Sequence, residues 1–150
     1  MPTNVPLKYV PKILTRKDRK QQLQMLKSSR TAYKKHRYIT RKKLHSYPHR
    51  PSRHLYRLRK MYGVENSLPT KELAKASGCS RKAMKQIIEK GEGAYYSSGS
   101  RPNQTARSWG LARLASALTG GNAGKVDYHI LTAGCDPKKP ALQLIQKKLK

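Results

Sequence analysis

Acidic side chains are scarce in this chain: seven Asp and Glu stand against 34 Lys and Arg, for a formal net charge of +27. That imbalance excludes a self-neutralised surface, and self-repulsion of this size opposes compaction unless something anionic offsets it. Phenylalanine is missing and tryptophan occurs once, while the 36% hydrophobic fraction includes nine tyrosines. A small helical core is affordable at that composition, but a large one is not. There are only two cysteines, Cys79 and Cys135. They are too few for a disulfide framework, and the expectation is two free thiols in a protein made in cytoplasm or nucleus. An 18-residue apolar run and a signal-peptide pattern are both absent, so neither secretion nor a membrane span is expected.

The same scarcity bears on catalysis. The acids Asp18, Glu65, Glu72, Glu89, Glu92, Asp127 and Asp136 are dispersed along the chain. Asp127 and His129 are two positions apart, which on a helix points them in different directions. A structural ion pair between Asp127 and Arg113 is the expectation there. The cysteines have no partner ligand at short spacing, so zinc is not expected. Ser97-Ser98-Gly99-Ser100-Arg101 lacks the Gly-Lys-Ser/Thr ending of a nucleotide loop. It reads instead as a tight loop pinned by Arg101 and Arg113, with Tyr95 and Tyr96 near Trp109. No enzyme, cofactor or metal is expected.

What the chain does have is cationic charge, unevenly spread. The first sixty residues hold 19 of the Lys and Arg and one acid, Asp18. This suggests a basic arm with one or two helices over 1–63, a helical core module over 64–135 and a short tail over 136–150. The partner of such a chain is expected to be a polyanion: nucleic acid, an anionic membrane face or acidic protein.

Local patterns predict a mostly α protein with extended basic arms. Pro2, Pro6 and Pro11 favour extended backbone at the start. Thr15 and Asp18 resemble a capping box opening a helix of about 18–20 residues. Its apolar face is thin, which suggests a helix lying on a surface. Residues 34–51 are irregular. Ser52 caps a second helix carrying Leu55, Leu58 and Tyr62, stopped by Gly63. Between Thr70 and Ile88 the spacing of Leu73, Ala74, Gly78, Met84, Ile87 and Ile88 resembles a helix-turn-helix, with Ser80 capping the second helix and Gly91 ending it. Thr105 caps a helix through Leu118 that carries Trp109, Ala112 and Ala115, and the sequon-like Asn103-Gln104-Thr105 is its lead-in loop. Gly120-Gly121 terminates that helix. A short helix from about Lys125 to Ala133 turns Val126, Ile130 and Leu131 inward. A last one places Leu142, Ile145 and Leu149 on one face.

Two groups of residues are candidates for binding. Lys34, Lys35, Arg37, Arg41, Lys42, Lys43, Arg50, Arg53 and Arg57 alternate with Tyr33, Tyr38, Tyr47 and Tyr56. Cations neutralise phosphates and aromatic rings stack on unpaired bases, so single-stranded nucleic acid is one reading. Anchoring of the arm in grooves of neighbouring proteins is the other. In the second group, Arg81, Lys82 and Lys85 open the second helix of the hairpin, where groove-binding proteins touch DNA. With no Asn or Gln beside Arg81 and Lys82 to read adenine, phosphate contact is expected over base reading.

The tract Ala94-Tyr95-Tyr96-Ser97-Ser98-Gly99-Ser100-Arg101-Pro102-Asn103-Gln104-Thr105, with Ser108-Trp109-Gly110, Ala112-Arg113-Leu114-Ala115-Ser116 and Thr119-Gly120-Gly121, resembles a small basic domain of large eukaryotic DNA viruses (chlorella-virus-like) and some phages. Tyr9-Val10-Pro11-Lys12 and Val126-Asp127-Tyr128-His129 extend the likeness over most of the chain. The resemblance makes Tyr95, Tyr96, Arg101, Trp109, Arg113 and Asp127 the core of the motif and implies a viral source without an activity. Combined with the charge, it yields one expectation: a minor capsid or internal cement protein of a virion, lying among other capsid proteins. The alternatives are a DNA-condensing or helix-turn-helix protein and, further off, a ribosomal protein.

Overall fold

A chain with so many cations folds here around two modest cores built from short helices. The computed structural model describes residues 5–49 and 51–150. Pro2 and Arg50, both considered above, lie outside the described residues. Among the described residues the structure is mostly helical, with α1 Arg16–Lys34, α2 Arg53–Tyr62, α3 Lys71–Ser77, α4 Arg81–Ser97, α5 Ala106–Leu118, α6 Asn122–Val126, α7 Tyr128–Gly134 and α8 Pro140–Leu149. No helix among them is long and apolar enough to cross a membrane.

Two compact units emerge, and they are not the arm, core and tail of the sequence reading. Unit 1 comprises Met1–Arg50 and Glu92–Trp109; unit 2 comprises Pro51–Gly91 and Gly110–Lys150. The division differs because α4 and α5 each contribute residues to both units.

Unit 1 is organised by α1. Thr15 caps it, its side chain accepting from the Asp18 N–H at 3.1 Å. Asp18 does not complete the capping box. Its carboxylate accepts instead from the backbone N–H and hydroxyl of Ser46, at 2.9 and 2.5 Å. Those two bonds hold the Asp18 carboxyl below its ordinary pKa. The predicted surface helix has a buried face after all: Asp18, Gln22, Leu26, Ser29 and Ala32 lie at helical spacing. Four of the five are polar or small, so hydrophobicity alone hides the stripe. Leu26 joins Tyr9, Val10, Leu14 and Leu44 in a small apolar cluster. The N-terminal segment, predicted extended, makes a 3-10 turn at Leu7–Tyr9. The Tyr9 carbonyl then accepts from Gln22 Nε2 at 3.1 Å.

Unit 2 holds the larger core, with Leu58, Leu73, Met84, Ile87, Ile88, Leu114, Leu118, Leu131 and Ile145 in one cluster. Ser52 and Gly63 bound α2 as predicted. Gly78 ends α3 in the left-handed region at φ 85°. The Ser80 hydroxyl accepts from the Ala83 N–H at 3.1 Å, capping α4. Gly91 does not end α4, which runs on through Tyr95 and Tyr96 to Ser97. A Cβ at Gly91 would sit 2.5 Å from the Gly110 Cα, so glycine permits close approach of α5 rather than termination. The predicted Lys125–Ala133 helix is two helices meeting at Asp127, and Val126 is exposed. Leu149 is also exposed, whereas Leu142 and Ile145 are buried as expected.

The cysteines are not free thiols. Cys79 and Cys135, 56 residues apart, form a disulfide. Backbone pairing around them explains it: the Ser80 N–H donates to the Gly134 carbonyl and the Asp136 N–H to the Gly78 carbonyl, both at 2.8 Å. Those bonds bring the segment after α7 against the turn between α3 and α4.

Candidate polyanion-binding surface

In unit 1 the irregular segment after α1 is held by a specific set of contacts. Helix α1 closes in a Schellman arrangement, with the Arg37 N–H donating to the Ala32 carbonyl and the His36 N–H to the Tyr33 carbonyl, both at 2.9 Å. His36 takes the left-handed position at φ 60°, where glycine is usual. The chain thus reverses and sets Tyr38 on Tyr33, ring centroids 6.0 Å apart. Tyr38 also meets Tyr96 of α4 at 5.1 Å, and Tyr96 meets Tyr95 at the same distance.

Arg41 follows, and it is not a surface cation. It is 7% exposed. One terminal nitrogen donates to the Ser29 hydroxyl at 2.9 Å and the Tyr95 carbonyl at 3.0 Å; the other donates to the Ser100 hydroxyl at 2.8 Å. The guanidinium carbon lies 3.8 Å from the Tyr95 ring centroid. The Arg41 N–H donates to the Tyr95 hydroxyl at 2.9 Å. Burial lowers the guanidinium pKa from its ordinary value. Arg41 therefore leaves the polyanion-binding set and becomes a structural centre. Its side chain is spent on the Ser29 hydroxyl of α1 and on the Tyr95 carbonyl and Ser100 hydroxyl of the Tyr95–Ser100 tract.

That tract is pinned by different arginines from those predicted. Arg30 donates twice to the Ser98 carbonyl, at 2.9 and 2.7 Å, and Arg41 holds Ser100. Arg101 is exposed, and Arg113 is engaged elsewhere. Trp109 packs edge-on to Tyr9 at 6.1 Å, while Tyr95 and Tyr96 pair with each other and with Arg41 and Tyr38. Asn103, at φ 63°, grips Leu44: its Oδ1 accepts from the Leu44 N–H at 2.6 Å and its Nδ2 donates to the carbonyl at 3.2 Å. Lys34, Lys35, Arg37, Lys42 and Lys43 stay exposed around this framework.

Unit 2 contributes separate cations. Arg53 and Arg57 are exposed on α2. Arg81, Lys82 and Lys85 are exposed at the start of α4, where Arg81 Nε donates to the Pro69 carbonyl at 2.9 Å. The expected Asp127–Arg113 pair is present and two-pronged, both contacts at 2.8 Å, with the carboxylate fully buried. The carboxylate bonds raise the Arg113 pKa above its ordinary value. Lys90 approaches the same carboxylate at 3.8 Å. Among the described residues, these two ion pairs share one acid. No group of three or more His, Cys, Asp or Glu is placed to hold a metal among them.

A protein-family profile spans residues 6–139, that of a family of unknown function (DUF5824). The chain belongs to this family. For DUF5824 the matched span takes in most of both compact units, with Tyr33, Tyr38 and Tyr96, the disulfide and the Arg113–Asp127 pair, and stops short of α8. Comparison of this DUF5824 member with curated proteins and with solved structures found no match.

Proposed function

We propose that this protein is a non-enzymatic, cationic structural component of the particle of a large DNA virus, and that it works by binding a polyanion, nucleic acid before acidic protein or membrane. One observation carries the reading: 34 Lys and Arg are set against seven acids, and the two ion pairs among the described residues converge on Asp127 alone. Most of the positive charge is thus left without a carboxylate partner, and a polyanion supplies what the chain lacks. Nucleic acid is favoured because exposed Tyr38 and Tyr56 are interleaved with exposed cations, an arrangement an acidic protein face or a lipid headgroup layer does not require. The likeness of the Ala94–Thr105 tract to a viral domain supports the location.

Particle fractionation tests this. Treating purified particles with nuclease and moderate salt is expected to release the protein together with the nucleic acid. Retention on emptied shells after both treatments would favour acidic capsid protein or membrane as the partner. Absence from particles would overturn the structural role.

A further inference from the structure

We infer that the Tyr33–Tyr38–Tyr96 ladder of unit 1 is a stacking platform for unpaired bases, so that the polyanion bound there is a single-stranded nucleic acid. This rests on the polyanion-binding reading and narrows it. The ladder is built by three separate stretches of chain: the last turn of α1, the reversed segment after it and the last turn of α4. Its middle ring, Tyr38, is 63% exposed although it touches both neighbours. Placing it there requires a non-glycine residue, His36, in the left-handed region, a conformation that costs about 1–2 kcal/mol. Edge-on to Tyr96, Tyr95 is fully buried with the Arg41 guanidinium 3.8 Å from its ring centroid, so the platform has a fixed support.

The surroundings match a nucleotide strand rather than a protein groove. Lys34, Lys35, Arg37, Lys42 and Lys43 flank Tyr38 in sequence and are exposed. Exposed Ile39 follows Tyr38 in the chain and adds apolar surface to the segment. Base faces can stack on an open tyrosine while the cations neutralise the phosphates on either side, without regard to sequence. Paired bases present no free face, so duplex would meet the cations and not the ladder.

The test uses the full chain with fluorescently labelled 12-nucleotide probes read by anisotropy at fixed salt: a single strand, its duplex and an abasic strand of equal length. Wild type is expected to prefer the single strand. Tyr38→Ala should weaken single-strand binding about 5- to 150-fold, leave duplex and abasic binding within about 3-fold, and lower the melting temperature by only a few degrees through the lost ring contacts. Tyr38→Leu, which keeps the apolar contact with Tyr33 and Tyr96, should lose the same affinity, and Tyr38→Trp should retain it. The inference is overturned if the leucine variant binds the single strand like wild type, or if duplex or anionic phospholipid vesicles outcompete it. If no polyanion binds at all, the broader functional reading fails as well; binding that is strong but indifferent to Tyr38 sinks the platform alone.

Discussion

Arg41 and Lys42 are neighbouring cations in opposite environments, the first buried and the second exposed. A buried charge is tolerated only when its hydrogen bonds are satisfied, and the Arg41 guanidinium reaches two hydroxyls and a carbonyl over an aromatic face. Removing it would orphan those acceptors. Arg41→Ala is therefore expected to lower unfolding free energy in urea by about 2–4 kcal/mol. The exposed Lys42→Ala should change stability by no more than about 0.5 kcal/mol while weakening oligonucleotide binding. Equal stability of the two variants would show that the buried network is not what holds the Tyr95–Ser100 tract. Nothing in the run Arg41-Lys42-Lys43-Leu44 distinguishes the first cation from the others. The distinction comes from Ser29, Tyr95 and Ser100, the nearest of them 12 positions away.

At the scale of elements, two glycines in one helix should respond with opposite signs. Glycine inside a helix is less favourable than alanine by about 1 kcal/mol. Gly93 has open space where a Cβ would go, so Gly93→Ala is expected to raise stability by about 0.5–1 kcal/mol. At Gly91 the added carbon meets the Gly110 backbone, so Gly91→Ala should destabilise by about 1–3 kcal/mol. Thermal unfolding of both variants checks this, and two stabilised proteins would refute the close approach. The pair also shows what was legible. Caps at Thr15, Ser52, Ser80 and Thr105, and the left-handed stops at Gly63, Gly78 and Gly120, are local hydrogen-bond and φ requirements, and their residues are readable in place. Gly91 reads as a stop because its reason lies at Gly110. Cys79 reads as free because its partner is 56 residues away. Tyr38 was visible as an aromatic among cations, but the αL histidine that sets it on Tyr33 carries no glycine signal.

For the whole molecule, the disulfide and the Arg113–Asp127 pair act within unit 2, and the Arg41 network within unit 1. Each unit thus has its own polar or covalent reinforcement beside a modest apolar core, as expected where hydrophobic residues are few. Neither device neutralises the surface. The surplus of cations is the property on which the functional account depends, and counterion release makes it measurable. The most direct measurement is the affinity of the full chain for a labelled single-stranded oligonucleotide between about 50 and 200 mM monovalent salt. A single strand engaged by six or more cations should lose about 300-fold or more in affinity over that range. Affinity that is flat with salt, or no binding at the lowest salt, would contradict a protein built to hold a polyanion.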